Sequence, residues 1–335
     1  MVTVAIVGFG LSGRYLQAPF FESDKNYRLK TILSCNQNPR EFFPGVNVVK
    51  NIDDILNDKS IDLVSICSPN NTHYPYTKLA LNANKHVLVE KPFTAFSHQA
   101  QELIDLAKTK NKVLAVFQNR RLDSDFLTVQ KLITTKQLGE ILNIEIHFNR
   151  FKPELNTKKW KEKKEEASGI IYDLGAHIID QAIALFGIPT TVWGQSFTQR
   201  KHSLIDDAFD IKLDYGKLKV TLRSSLLIPY SSPRYVINGT KGSFIKYGVD
   251  VQEDQLKSGM SPSDEAFGIE PAHQQGKLYL YEGSNIVIKD VVTEKGNWAL
   301  LFENLYQSVT KGTPLLIDMK DVVEQIKIIE KVVEK

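Results

Sequence analysis

The sequence predicts an α/β amino-terminal domain with a doubly wound parallel sheet, followed by an α+β domain on an open, mainly antiparallel sheet. Three observations carry this reading. Short apolar runs alternate with helical segments over about the first 120 residues. Beyond them the strand-like segments lengthen and are joined by tight-turn signals. The chain, at 335 residues, also exceeds one ordinary domain. The expected division is 1–120 and 121–335.

The elements follow in order. Val2–Val7 is an apolar strand ending at Gly8, and Leu11–Phe20 has helical spacing. Arg28–Ser34 reads as a second strand. Ile52–Leu56 is a short helix that Asn51 or Asp53 would cap. Ile61–Cys67 is a buried strand, His73–Ala83 a helix, and Val87–Val89 a short strand before Glu90-Lys91-Pro92. Ser97–Lys108 is an amphipathic helix with Ser97 as candidate cap, and Val113–Phe117 is a further strand. After Asn119, the helix Phe126–Thr135 precedes strands at Ile141–Phe148, Thr191–Ser196, Ala208–Leu213, Lys217–Ser224, Tyr235–Gly239, Gly242–Tyr247 and Asn285–Ile288. The helix Tyr172–Phe186 would pack on this sheet, with Asn297–Val309 and Lys320–Val333 closing the chain.

Composition narrows the function. Hydrophobic residues make up 42% and charged residues 24%, the balance of a globular protein with a sizeable core. No apolar run reaches the roughly 20 residues of a bilayer span. A net charge of +3 argues against nucleic acid, since Lys158–Lys164 is interleaved with Glu162, Glu165 and Glu166 and reads as a solvated face. Two cysteines, Cys35 and Cys67, form no disulfide framework and no zinc-ligand spacing. With no signal-peptide pattern at the amino terminus, a cytoplasmic setting is expected.

Gly8-Phe9-Gly10-Leu11-Ser12-Gly13 matches G-x-G-x-x-G between a strand and a helix, the context in which it marks a dinucleotide site of Rossmann type. The first glycine allows the tight turn, the second lets the pyrophosphate approach, and the third permits close helix packing. The second strand runs out in Ser34-Cys35-Asn36-Gln37-Asn38-Pro39-Arg40 without the acid that grips an NAD ribose. NADP is therefore the preferred cofactor, with NAD as alternative; Ser34, Asn36 and Gln37 could donate hydrogen bonds, and Arg14 or Arg40 could supply charge. Cys67-Ser68-Pro69-Asn70-Asn71-Thr72-His73 lies at another strand's carboxyl end, where ligands of open α/β sheets bind. Cys67, Ser68, Pro69, Asn70 and His73 join the candidate cofactor residues, and Thr72 would cap the next helix.

Three features could carry chemistry. Lys91, after a strand, could direct its ammonium at a substrate oxygen beside the nicotinamide, or be a surface lysine next to a turn proline with a cis bond. Asp173 and His177 stand four apart in an apolar helix, a pairing that suits proton transfer but also a core histidine and a capping aspartate. Asp180 could add a metal ligand, yet no further histidine or cysteine cluster completes a set, so no metal is expected. Finally, Asn119, Arg120, Arg121 and Arg150 place amides and cations at strand ends, and Trp160 offers a flat surface for a sugar ring. Asn119 and Glu90 are assigned to the cofactor; Arg120, Arg150 and Trp160 to the substrate.

Gly8–Gly13, Glu90-Lys91-Pro92 and Asp173-x-x-x-His177, in this order and spacing, resemble the Gfo/Idh/MocA oxidoreductases over essentially the whole chain. The stretches 119–126, 172–181 and 243–248 look like the NADP-dependent scyllo-inositol dehydrogenase branch. The resemblance implies hydride transfer to or from a cyclitol or sugar hydroxyl, with Lys91 binding the substrate oxygen and helping to hold the nicotinamide cofactor, His177 as acid and base, and Asp173 orienting it and contacting a neighbouring hydroxyl. It also implies a homodimer or homotetramer through the carboxyl-terminal sheet. Asn36 and Gln37 depart from it, standing where relatives often carry an arginine for the 2′-phosphate. Two alternatives stand beside this reading. One is a nucleotide-binding sensor without turnover; the other is a dehydrogenase for another aldose or a dihydrodiol.

Overall fold

The computed structural model describes residues 1–156 and 162–333, which divide into two compact units. One comprises Met1–Asn119, Gln252–Phe267 and Trp298–Val323; the other comprises Arg120–Val251, Gly268–Asn297 and Glu324–Lys335.

In the first unit, strand β1 (Val2–Val7) is followed by a π-helical turn, Ser12–Gln17, that runs into α1 (Ala18–Ser23). The helix expected over 11–20 is therefore two pieces. Pro19 sits in the first turn of α1, where its missing N–H needs no partner. Then come β2 (Tyr27–Leu33), β3 (Asn47–Val49), α2 (Asp53–Leu56), β4 (Leu63–Ile66), α3 (His73–Asn82), β5 (His86–Val89), α4 (Ser97–Thr109) and β6 (Leu114–Val116). The six strands are all parallel in the order β3-β2-β1-β4-β5-β6. The order reverses between β1 and β4, so the crevice at their carboxyl ends is where a doubly wound sheet takes its ligand. Strand β4 is buried throughout, as a sheet covered on both faces requires.

Two capping expectations are resolved locally. The Asn51 carboxamide accepts from the Asp53 amide at 3.0 Å and opens α2. Ser97 is the first residue of α4 and not its cap; extended Phe96 precedes it, and no side-chain cap bond forms.

The second unit begins with α5 (Ser124–Thr134) and β7 (Ile141–His147). A π-helical turn, Ile171–Gly175, then leads into α6 (Ala176–Phe186). Strands β8 (Thr191–Phe197), β9 (Ala208–Tyr215), β10 (Leu218–Ser225), β11 (Tyr235–Gly239) and β12 (Gly242–Lys246) follow. Helix α7 (Gln252–Lys257) belongs to the first unit; β13 (Gly276–Glu282) and β14 (Asn285–Val291) return to the second. Helices α8 (Ala299–Lys311), in the first unit, and α9 (Met319–Val333) complete the described chain.

The second sheet has eight strands in the order β14-β13-β12-β11-β7-β10-β9-β8. Only the β7–β10 pair is parallel. Its strands alternate: Val220 and Leu222 of β10 are buried, whereas Lys219 and Arg223 are exposed. Buried α6 packs on β10. The opposite face is open, with a shallow concavity of about 570 Å³ edged by Glu145, Trp193, Asp210 and Arg223. Strand β13 and helix α7 were not anticipated from the sequence.

Aromatic packing ties the later segments of the first unit to its sheet. Phe302 of α8 stacks on Phe20 at 4.6 Å between ring centres and meets Phe21 edge-on at 5.0 Å. Phe117 lies 5.7 Å from the same ring. The Tyr27 hydroxyl donates to the Phe302 carbonyl at 2.6 Å. Phe302→Ala should lower unfolding stability by about 3–5 kcal/mol, measured by denaturant titration, because the cavity lies among rigid rings. A loss below about 1 kcal/mol would mean that these rings close over the gap.

Candidate active site

The glycine turn divides its labour as the chemistry of a dinucleotide demands. Gly8 follows β1 with φ +101°, and a β-carbon there would lie 2.7 Å from the Cys67 carbonyl. A β-carbon on Gly13 would lie 2.1 Å from the Gly8 carbonyl oxygen, so the helix can approach the strand only with glycine. Gly10 has open space around it, with no protein atom within 4 Å of the built position. Two glycines thus serve packing, and the middle one leaves its surface free for a ligand. Exposed Leu11 and buried Phe9 complete the turn.

Beneath it lies a buried carboxylate. Glu90, at the end of β5, accepts from the Ser12 hydroxyl, from the Gln17 amide at 2.8 Å and from the Lys91 backbone N–H at 3.1 Å. The Ser65 hydroxyl donates to the Gln17 carboxamide oxygen. Burial raises the Glu90 pKa, and its donors oppose that shift. Glu90 thereby joins the glycine turn to the backbone that presents Lys91. The Lys91-Pro92 bond is cis. The Pro92 carbonyl lies 2.7 Å from Nδ1 of His73, whose Nε2 is 2.9 Å from the Ser68 carbonyl. Burial lowers the His73 pKa, and a neutral ring can donate to only one of these oxygens at a time. His73 therefore braces two strand-end loops, with both nitrogens turned to main chain.

The other first-unit candidates have local partners. The Ser34 hydroxyl donates to the Gln37 carbonyl at 2.8 Å, closing the loop after β2 and leaving Asn36 exposed. Lys50, which sequence reasoning missed, donates to the Ser34 and Cys35 carbonyls at 2.7 and 2.8 Å. Arg40 donates to the Val46 carbonyl at 3.2 Å. Arg14 lies with its guanidinium carbon 3.6 Å from the centre of the Phe42 ring, and its side chain makes no hydrogen bond or ion pair among the described residues. Burial pushes the Cys67 thiol up, so it is not poised as a nucleophile. Thr72 does not cap α3: its hydroxyl donates to the Pro69 carbonyl at 2.6 Å and contacts the Ser68 hydroxyl at 2.5 Å. Asn70 opens a short 3-10 turn before α3, and Asn119 is buried at the end of the unit.

In the second unit Asp173 is exposed within the π-helical turn, whereas His177, one turn on, is 5% exposed. The expected pair is thus one buried ring and one carboxylate open to solvent. The turn is set by Asp206, which the sequence did not single out. Its carboxylate accepts from the Ile171 amide at 3.0 Å, and its carbonyl accepts from the Ile170 amide at 3.0 Å. A β-carbon on Gly169, where φ is +94°, would lie 1.9 Å from that carboxylate.

Around the His177 helix the charges pair off. Arg121 grips Asp180 through two 2.8 Å bonds, which removes Asp180 from any role beside His177 as a metal ligand. Arg120 meets Asp123 at 3.1 Å. Arg234, unremarked in the sequence, meets Asp125 at 3.2 Å and donates to the His147 carbonyl and the Gln181 side chain. Tyr235 also donates to Gln181, which donates in turn to the Arg120 carbonyl. Phe148 is the hub: the guanidinium carbons of Arg234, Arg120 and Arg150 lie 4.4, 5.1 and 5.4 Å from its ring centre, and the His177 ring is 6.4 Å away. Trp160 lies outside the described residues.

Residues 2–118 match the oxidoreductase family's NAD-binding Rossmann fold (GFO_IDH_MocA), and residues 130–335 match the family's C-terminal alpha/beta domain. The chain belongs to the Gfo/Idh/MocA oxidoreductase family. Within the family it is 36% identical to the scyllo-inositol 2-dehydrogenase (NADP(+)) IolW of Bacillus subtilis, covering 99% of this chain and 93% of that one. It is also 36% identical to YdgJ of Escherichia coli, an uncharacterized oxidoreductase, covering 98% and 94%. The solved structure of yvaA from Bacillus subtilis superposes with a TM-score of 0.96 at 36% identity, covering 99% of this chain and 95% of that one. Among the described residues no helix is long and apolar enough to cross a membrane.

Asp206 generates a pH prediction. Burial, the largest cause, raises its pKa from 3.8 to about 6. The folded state therefore holds an extra proton between these values, and stability falls as pH rises through that window. Asp206→Asn keeps an acceptor for the Ile171 amide but cannot ionise. Urea unfolding should show the wild-type decline between about pH 4 and 6 and a flatter profile in the variant. Parallel profiles would return the effect to other groups.

Proposed function

We propose that the chain is an NAD(P)-dependent dehydrogenase that moves hydride between the cofactor and a secondary hydroxyl or ketone of a cyclitol or sugar. The observation that carries this reading is the buried His177 one turn after exposed Asp173, in a chain that keeps Lys91 after β5. The named activity of IolW supports the substrate class. The first unit serves the dinucleotide, through Gly8–Gly13, Ser34, Asn36, the 67–70 turn, Glu90 and Asn119. The second serves the polyol.

Lys91 holds the substrate oxygen. His177 takes the hydroxyl proton during oxidation and returns it during reduction. Asp173 orients the imidazole and bonds a neighbouring hydroxyl. The nicotinamide, when bound, accepts or supplies the hydride. The open face of the second sheet, with exposed Trp193, Tyr281, Ile286 and Ile288, serves a homodimer or homotetramer. Two free thiols, one exposed, suit a reducing cytoplasm.

Lys91→Ala and His177→Ala are each expected to abolish oxidation of scyllo-inositol, read as nicotinamide absorbance, while NADPH still binds by fluorescence titration. Near-wild-type turnover in either purified variant removes that residue from the mechanism.

NADPH should bind more tightly than NADH. No acid follows β2 before Glu41, and the guanidinium of Arg14 rests on Phe42 beside the glycine turn. Arg14→Ala should weaken NADPH by about tenfold and NADH little, as loss of a charge-assisted phosphate contact would. Equal dissociation constants for the two dinucleotides in the wild type would sink this preference.

A further inference from the structure

The charge pairing around Phe148 is incomplete. Arg120 and Arg234 each hold an aspartate, Asp123 and Asp125. Arg150, the third guanidinium of the group, makes no side-chain hydrogen bond or ion pair among the described residues, and its charge rests only on the Phe148 ring at 5.4 Å. Its backbone is fixed nonetheless. The Arg150 amide donates to the Ser225 carbonyl at 3.0 Å, and its carbonyl accepts from the Ile228 amide at 3.2 Å. Asn149 reinforces the position, accepting from the Ser225 amide at 3.0 Å and donating to the Ser232 hydroxyl at 2.8 Å. Phe148 is itself anchored, its carbonyl accepting from the Ser224 hydroxyl at 2.6 Å. A half-buried cation is thus held ready on the ring that also borders His177.

A neutral polyol does not require such a charge, whereas an anion gains from it. We propose that Arg150 binds a phosphate or carboxylate carried by the substrate, so that the polyol this chain handles is anionic. The planar fork of guanidinium donors matches either group, and the two neighbouring arginines, already neutralised, do not compete for it. This rests on the reading of the second unit as the polyol-binding part. It goes further in naming the charge of the ligand and the residue that reads it.

The test is calorimetric binding of glucose, glucose 6-phosphate and glucuronate to the full-length protein, without and with saturating NADPH. Wild type, Arg150→Met and Arg150→Lys are compared. Methionine keeps an unbranched stem over Phe148 and removes the charge; lysine restores the charge without the fork. In the wild type at least one of the two anionic sugars should bind about 10- to 100-fold more tightly than glucose, the range of a hydrogen-bonded charge. Arg150→Met should erase that advantage while leaving NADPH binding unchanged, and Arg150→Lys should recover part of it. Matching melting curves establish that the variants are folded. No advantage for either anion in the wild type, including no binding at all, overturns the proposal. So does an Arg150→Met variant that loses neutral and anionic sugars alike, or one that loses NADPH instead, which would assign the charge to the cofactor's phosphate. Turnover separates the two readings. Arg150-dependent anion binding without hydride transfer to any polyol leaves this proposal standing and removes the dehydrogenase. Oxidation of neutral polyols with no anion preference does the reverse.

Discussion

Burying an ionised side chain is tolerable only when a partner of opposite charge and enough hydrogen bonds replace the water it loses. Both units are built around that constraint. In the second, Lys246 and Glu270 are each wholly buried and meet at 2.6 Å, with the lysine also donating to the Tyr247 and Gln274 carbonyls. Glu270 then accepts from the Ser124 hydroxyl, and Asp250 accepts from the Ser124 amide, so two distant carboxylates finish the first turn of α5. Asp125, in that same turn, holds Arg234, which reaches Gln181 on α6. The chain of pairs ends at the helix that carries His177. In the first unit Glu90 has the same function on a smaller scale, joining Ser12 of the glycine turn to the backbone of Lys91. These pairs and bonds tie the helix that carries His177 and the backbone of Lys91 to distant parts of their own units.

What could be read from the sequence was local. Gly8, Gly10 and Gly13 were legible because their constraint lies within six residues, between a strand and a helix. Asp173 and His177 were legible because four residues make one turn, although their unequal exposure was not. Strand and helix spans were mostly recovered, since alternation and helical periodicity are short-range signals. The misses have a common cause. Arg234 finds Asp125 across 109 positions, and Asp206 finds Ile171 across 35. Nothing in either neighbourhood announces the partner. Lys50 lies 16 residues from the Ser34 carbonyl it holds. Strand β13 did carry a legible signal, the alternation from Lys277 to Glu282 before the Gly283 turn, and it went unread. Phe302 and Trp298 belong to the first unit though they follow most of the second, because aromatic packing, not sequence order, decides where a segment docks.

The same constraint separates cations that hold the fold from cations available to a ligand. Arg120, Arg121, Arg200 and Arg234 all meet carboxylates, and each is too deeply engaged to be drawn away without stranding its partner. Arg14 and Arg150 are different. Each lies against a phenylalanine face, Phe42 in one unit and Phe148 in the other, with no carboxylate beside it among the described residues. An aromatic face steadies a guanidinium through its quadrupole but carries no net charge to neutralise it. The cation is therefore ordered before a ligand arrives and keeps its attraction for an anion, with little entropy left to lose on binding. Arg14 stands beside the glycine turn and Arg150 against Phe148, whose ring also borders His177, so each unit presents one pre-arranged positive charge.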